Sequence, residues 1–296
     1  MVDAGGLPLA GKVVMITGAT SGIGRETARA LAVLGPRLYL VARNSARADA
    51  TVRELAAATG NRDVHILLGD LSAQSDVRRV ASEFLARGDP LHVLCNNAGA
   101  VGRLRRQESV DGIEATFALN HLAYFLLTLL LLPRLRESAP ARVVNVASDA
   151  YKDVKGRFPF DDYQAARKYA PIRQYGVSKL ANILFTRELA RRLDGSGVTV
   201  NAATPPRLTG TRFAHNVHAG AKIALTLWRP FALSPRKGAR PVVHLCSSPE
   251  VEGETGTYWS GMTRPTLRDA ATNDDDARRL WDLSAALTGV DLQPPR

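Results

Sequence analysis

A phenol and an ammonium stand four residues apart in Tyr175-Gly-Val-Ser-Lys179. The segment from Gln174 to Leu193 reads as a helix, where residues i and i+4 project from one face, one turn apart. A free tyrosine titrates near ~10 and is a poor proton donor or acceptor at neutral pH. A positive charge beside it favours the phenolate and lowers that pKa. Tyr175 is therefore a candidate general acid/base. Taken alone, the pair reads more readily as part of a solvated helix face, since Y-x-x-x-K occurs by chance in many proteins.

Other chemistry-bearing residues stand elsewhere in the chain. Gly18-Ala-Thr-Ser-Gly-Ile-Gly24 is a glycine-rich turn with the spacing G-x-x-x-G-x-G. Gly18, Gly22 and Gly24 would let the backbone approach a pyrophosphate, and a helix N-terminus behind them would offer free N–H groups. Val41-Ala42-Arg43-Asn44 carries no acid. A carboxylate there would bind a ribose 2′-hydroxyl and select NAD. Arg43 instead offers a guanidinium fork to a 2′-phosphate, and Ser21 could donate to the same group, which favours NADP. Asp70-Leu71, Asn96-Asn97-Ala98-Gly99 and Ser148 complete the set.

These residues need a scaffold, and the chain supplies one by alternation. Strands are expected at Lys12–Thr17, Arg37–Ala42, Asp63–Leu68, Leu91–Cys95, Arg142–Ala147, Val198–Ala203 and Thr257–Ser260. Helices are expected at Arg25–Leu34, Ala46–Ala58, up to Arg87 with Ser72 as cap, Ile113–Leu132 stopped near Pro133, Pro235–Cys246 and Asp274–Leu287. Short apolar runs between helical periods imply a parallel sheet with helices on both faces. The expectation is a doubly wound α/β fold of Rossmann type, in a single domain. Gly18, Asp70, Asn97 and Ser148 then all lie at strand ends along one edge, where ligands bind in such sheets.

With those residues in hand, the chain resembles the short-chain dehydrogenases/reductases. The resemblance rests on T17-G-A-T-S-G-I-G24, D70-L71, N96-N-A-G99, Asn120, Ser148 and Y175-G-V-S-K179, and runs from about Leu9 to Gly261. GIGRETARAL, LVARN and YGVSKLANILFTRELARRL make it most similar to the retinol-dehydrogenase-type branch. The resemblance implies that Tyr175 is the general acid in carbonyl reduction and that Lys179 lowers its pKa and binds the nicotinamide ribose. It implies that Ser148 orients the substrate oxygen and that Asn120 holds a water in a relay ending at Lys179. The implied cofactor contacts are Gly18, Ser21, Gly22, Ile23, Gly24, Arg43, Asn44, Asp70, Leu71, Asn97, Ala98, Gly99 and Pro205, together with Tyr175 and Lys179. The family usually has Pro-Gly after the sixth strand, where this chain has Thr204-Pro205-Pro206-Arg207. A proline at 206 removes an N–H and fixes φ, so the usual nicotinamide contacts of this loop are expected to change.

Composition narrows the remaining classes. The 296 residues carry a net charge of +11, with 45% hydrophobic and 23% charged residues. The basic residues are scattered, with Arg103, Arg105 and Arg106 the nearest to a cluster, and no nucleic-acid-binding motif accompanies them. Cys95 and Cys246 cannot build a disulfide framework. Met1–Gly11 does not read as a signal peptide, and no uninterrupted apolar run reaches membrane-spanning length. A cytoplasmic protein without an integral membrane segment is expected. His215 and His218 lack a third ligand nearby, so no metal is expected. The stretch 206–234 carries Phe213, Val217, Ile223, Leu225, Leu227, Trp228, Phe231 and Leu233. It fits an apolar substrate lid and, equally, packing on the core or on a second subunit. Leu122–Leu132 could serve a subunit interface or only the core, so a homodimer or homotetramer stays open.

The expected function is NADP(H)-dependent interconversion of a lipophilic alcohol and its ketone or aldehyde. The alternative is a catalytically idle NADP(H)-binding regulatory protein on the same fold.

Overall fold

A computed structural model describes residues 7–205 and 234–290. One seven-stranded parallel sheet has the order β3-β2-β1-β4-β5-β6-β7. Its strands are β1 Val13–Thr17, β2 Arg37–Ala42, β3 Val64–Leu68, β4 Val93–Asn96, β5 Ala141–Val146, β6 Val198–Thr204 and β7 Tyr258–Ser260. The central strands are buried on both faces, as the continuous burial of Val13 to Thr17 shows, because helices cover both sides of the sheet. Helices α1 Gly22–Ala32, α2 Ser45–Thr59 and α7 Pro235–Ser247 cover one face. Helices α3 Gln74–Ala86, α5 Ala123–Glu137 and α6 Pro171–Arg192 cover the other. Short helices α4 Ala115–Phe117 and α8 Asp269–Thr272 and the C-terminal α9 Asp274–Thr288 complete the described elements. The doubly wound α/β fold is as expected.

Strand order reverses direction at β1, which lies between β2 and β4. The chain leaves β1 toward one side of the sheet and later returns to the other. In such sheets ligands bind at the carboxyl edge beside that point, and the candidate residues at the strand ends lie along that edge.

Three local expectations are corrected. Pro133 does not stop the long helix; it lies inside α5. Leu131, Leu132 and Leu135 are almost wholly buried around it. Burying each contributes about 1.5–3 kcal/mol, which together exceeds the ~3 kcal/mol cost of an interior proline. Ser72 does not cap α3. Its N–H and hydroxyl donate to Asp70 Oδ1 at 3.0 and 2.7 Å, while the Gln74 N–H donates to Asp111 Oδ2 at 2.9 Å. A local Asx-type turn takes the serine, and a carboxylate 37 residues away takes the cap. The helix expected from Ile113 is not uniformly α-helical: a π-turn, Ala118–Leu122, separates α4 from α5.

The helical run Ala115–Glu137 is 23 residues long with mean hydropathy 1.8, enough by length and composition to cross a membrane. Yet 83% of its apolar window is buried inside the fold. Phe125, Leu126 and Leu127 are fully buried in the core between sheet and helices.

Candidate active site

The glycine turn is built for close approach. Gly18 has φ +69° and Gly22 +55°, values that L residues with side chains adopt only at a cost. A Cβ on Gly18 would lie 2.8 Å from the Ala98 Cα, so the turn after β1 packs directly on the loop after β4. Thr17 fastens the two: its hydroxyl oxygen accepts the N–H groups of Asn97 at 2.8 Å and Ala98 at 2.9 Å. The Asn97 amide donates to the Thr17 carbonyl at 2.8 Å and the Gly18 carbonyl at 3.3 Å. Thr17 had no role assigned by sequence, since a threonine at a strand end carries no signal of its partner.

Helix α1 opens from this turn. Its N-cap, Ser21, makes no side-chain cap hydrogen bond. The first-turn N–H groups and the positive end of the helix dipole therefore face the carboxyl edge of the sheet. Together with the glycine cradle, they fit the pyrophosphate of a dinucleotide. Ile23 packs into the core beneath.

Gly24 gives a direct test. A Cβ there would stand 2.3 Å from Asn97 Nδ2 and 2.4 Å from the Gly18 carbonyl oxygen. The second contact is backbone and cannot swing away. Gly24→Ala is expected to destabilise the protein by about 1–3 kcal/mol, the usual range for overpacking. It should also weaken dinucleotide binding. Thermal melts with and without NADPH check both; an unchanged melting temperature and an unchanged NADPH-induced shift would contradict the cradle.

At the adenosine end, Arg43 is 76% exposed by side chain and pairs with Asp70 Oδ2 at 3.3 Å. Burial pushes the Asp70 carboxyl up, but Ser72 hydrogen bonds and the Arg43 charge together hold it below the usual carboxylate range. Asn44 is the N-cap of α2, accepting the Arg47 N–H at 2.9 Å. Leu71 is buried in the core.

The reactive end gathers β5, the π-turn and α6. Ser148 follows β5 and caps the 3₁₀ turn Asp149–Asp153. Its hydroxyl is hydrogen-bonded with the Tyr175 phenol. Lys179, 2% exposed, donates to the Val146 carbonyl at 2.8 Å. Its Nζ lies 5.6 Å from the Tyr175 ring centroid and 5.5 Å from that of Tyr124. Gly99 packs close against this group: a Cβ there would meet Asn120 Oδ1 at 3.1 Å and Lys179 Nζ at 3.5 Å.

Asn120 sits in the π-turn, a distortion often found at functional sites. Its amide clamps the backbone of Ala100, accepting from N at 2.9 Å and donating to O at 3.0 Å. It also donates to the Ser178 hydroxyl at 3.0 Å. The loop after β4 is thereby tied to α6.

The electrostatics differ from the sequence reading. Burial pushes the Tyr175 phenol up to about 12, with only the Ser148 hydrogen bond pulling it down. Burial also pushes Lys179 down to about 7. In the free protein, desolvation is the dominant influence on Tyr175 and no pull from the Lys179 ammonium offsets it. The phenol is protonated across the neutral range, the state that a proton donor needs.

Pro205 directly follows β6. Pro206, the apolar stretch 206–233, His215 and His218 lie outside the described residues. Asp149, beside Ser148, is bound by Lys152 Nζ at 2.6 Å and by the Tyr258 and Ser260 hydroxyls, each at 3.3 Å. These contacts join the ends of β5 and β7 and hold Ser148 in place. Sequence reasoning missed the Tyr258 and Ser260 contacts because those partners are more than a hundred residues away.

A glycine cradle at the switch point and a Ser–Tyr–Lys group, its lysine buried and its serine and tyrosine partly exposed, along the same edge define a dinucleotide-dependent oxidoreductase site. The chain belongs to the short-chain dehydrogenase/reductase family: the family described as short chain dehydrogenase matches residues 12–222. It is 42% identical to retinol dehydrogenase 12 of Mus musculus over 283 residues, covering 95% of this chain and 87% of that protein. Retinol dehydrogenase 11 of Homo sapiens is 40% identical over 284 residues, covering 96% and 88%. These matches show the retinol-dehydrogenase-like branch. Among solved structures, RhlG of Pseudomonas aeruginosa in an NADP active-site complex superimposes with TM-score 0.67 at 29% identity, covering 85% of this chain and 95% of that one. The chain is thus an oxidoreductase that uses a nicotinamide cofactor and a small-molecule substrate.

Proposed function

We propose that the protein is an NADP(H)-dependent carbonyl reductase or alcohol dehydrogenase for lipophilic substrates, with Tyr175 as general acid/base. The observation that carries this reading is the convergence of Ser148, Tyr175 and Lys179 at the carboxyl edge of the sheet, beside Gly99. A bound nicotinamide supplies the hydride. Tyr175 delivers a proton to the substrate oxygen as that oxygen gains negative charge. Ser148 donates to the same oxygen and holds it in line, and donors at that point stabilise the transition state. Lys179 binds the nicotinamide ribose and favours the phenolate once the phenol has given up its proton. Arg43 and Ser21 receive the 2′-phosphate. Gly18, Gly22 and Gly24, with the N-terminus of α1, hold the pyrophosphate, and Asp70, Leu71, Asn97, Ala98, Gly99 and Pro205 line the remaining length. Asn120 holds a water in the relay to Lys179.

The NADP reading is supported by Arg43, by the missing acid after β2 and by the NADP complex of RhlG. The lipophilic reading is supported by the names of the retinol dehydrogenases and by the apolar composition of 206–234, taken here as a substrate lid on one dinucleotide-binding domain. A cytoplasmic location is part of the proposal. The test is NADPH consumption with a panel of ketones and aldehydes of increasing apolar size. Turnover that rises with apolar size supports the reading. Binding of NADPH without turnover of any member would favour the idle regulatory protein.

A further inference from the structure

A buried polar line runs behind Lys179, formed by residues without a part in the reading above. His121, in the π-turn, is fully buried. Its Nδ1 lies 3.3 Å from Asn182 Oδ1, and its Nε2 lies 2.9 Å from the Ser284 hydroxyl on α9. Asn182, also fully buried on α6, directs its Nδ2 to the Asn120 carbonyl at 2.9 Å and the Val146 carbonyl at 3.4 Å. The Val146 carbonyl is also the acceptor for Lys179 at 2.8 Å.

The donor and acceptor inventory fixes the orientation. Both carbonyls only accept, so Asn182 must present its NH₂ to them. Its oxygen then faces His121 and needs an N–H there. Burial pushes His121 down to about 3, opposed by its hydrogen bond with Asn182. The imidazole is therefore neutral at neutral pH and carries one proton, which stands on Nδ1. Nε2 is left to accept the Ser284 hydroxyl proton. That hydroxyl can also donate to the Leu280 carbonyl at 2.8 Å; since this carbonyl already accepts the N–H of its own helix and Nε2 has no other donor among the described residues, the single proton turns to the ring.

We propose that Ser284, His121 and Asn182 form a positioning relay: it fixes the carbonyls of Asn120 and Val146, and through them the ammonium of Lys179. The catalytic part of this inference rests on the function proposed above. The titratable groups facing Lys179 are Tyr175 on its own helix, Tyr124 on α5 and His121 on the π-turn. Strand β5 presents only the Val146 carbonyl, and Cys95 on β4 acts on Tyr124. His121 is the one among them that orders an acceptor of the ammonium.

Leucine at 121 would leave the Asn182 oxygen unpaired and free the amide to turn. Asparagine would place an amide N–H where the imidazole Nδ1–H stands. Two measurements test this. In the cofactor-free protein, ¹⁵N spectra of the imidazole should show the Nδ1–H tautomer, and the ¹³Cε titration of Lys179 should fall by about one unit in His121→Leu, on the scale of one unit per tenfold change. His121→Asn should keep the wild-type titration. In the loaded enzyme, His121→Leu should lose about ten- to a hundredfold in kcat, the size expected for an unpaired buried polar group. KM should stay within about threefold, since the relay acts on the reacting step and not on uniform binding. The kcat limb governed by Lys179 should move with the titration, and His121→Asn should restore both. If His121→Leu fails to fold, Ser284→Ala should shift the Lys179 titration in the same direction by less. An Nε2–H tautomer, or a Lys179 titration unmoved in the folded variants, would overturn the relay. A wild type that turns over no carbonyl while showing the Nδ1–H tautomer and the shifted titration would overturn the proposed reaction and leave the relay geometry standing.

Discussion

Tyr175→Phe is expected to lose about a hundred- to ten-thousand-fold of kcat, the usual worth of a positioned general acid/base. The substitution removes one oxygen and keeps the ring that lies 5.6 Å from Lys179 Nζ. The ring packs as before, so NADPH affinity and melting temperature should stay near wild type. What goes is the proton donor and its hydrogen bond with Ser148. The loss should fall in kcat more than in KM, because the interaction belongs to the transition state. A variant keeping more than about a tenth of wild-type activity would lie far outside that range and would remove Tyr175 from the mechanism. The measurement is steady-state reduction of the best carbonyl of the panel, paired with NADPH titration of each protein.

Arg43→Asp is expected to turn the cofactor preference from NADPH to NADH. The arginine meets a 2′-phosphate with a planar donor set, and hydrogen bonds to charged groups contribute about 1.5–3 kcal/mol each. Its 76% side-chain exposure places the effect toward the lower end, since exposed ion pairs are screened. A preference of about tenfold follows, 1.4 kcal/mol being about tenfold. Aspartate removes the attraction, repels the phosphate and suits a ribose 2′-hydroxyl. It also takes from Asp70 the guanidinium that helps hold its carboxyl low, so a second negative charge strengthens the rejection. Comparing kcat/KM for both cofactors at low and high salt checks this. Added salt should weaken the wild-type preference. An unchanged NADPH:NADH ratio in the variant would take from Arg43 its role in reading the phosphate.

The edge of the sheet that carries the site was legible in the sequence because its signals are local. Glycines at fixed spacing after an apolar run, and a tyrosine one turn before a lysine, announce their own geometry. The strand ends bearing Gly18, Asp70, Asn97 and Ser148 fall on one edge because a parallel sheet leaves them no other place. What stayed hidden depends on distance or on burial. Asp111 capping α3, Thr17 binding the Asn97 loop and Ser284 reaching His121 are contacts between segments far apart in the chain. The π-turn at Asn120 has no sequence signature of its own here, and Pro133 suggested a stop that burial of the surrounding leucines overrides. The titration of Tyr175 was misread for a related reason. The sequence shows a nearby lysine but not the depth of the site, and in the free protein burial, eased only by the Ser148 hydrogen bond, sets the titration.

The most direct test of the account is isotopic. NADPH carrying deuterium at nicotinamide C4 is incubated with the wild-type protein and a lipophilic ketone, and the product alcohol is analysed by mass spectrometry and NMR. The account predicts one deuterium on the former carbonyl carbon, from one face of the nicotinamide only, with transfer slowed at least about a hundredfold in Tyr175→Phe. Saturable NADPH binding with no label transferred to any carbonyl of the panel would contradict it and leave a cofactor-binding protein that performs no hydride transfer.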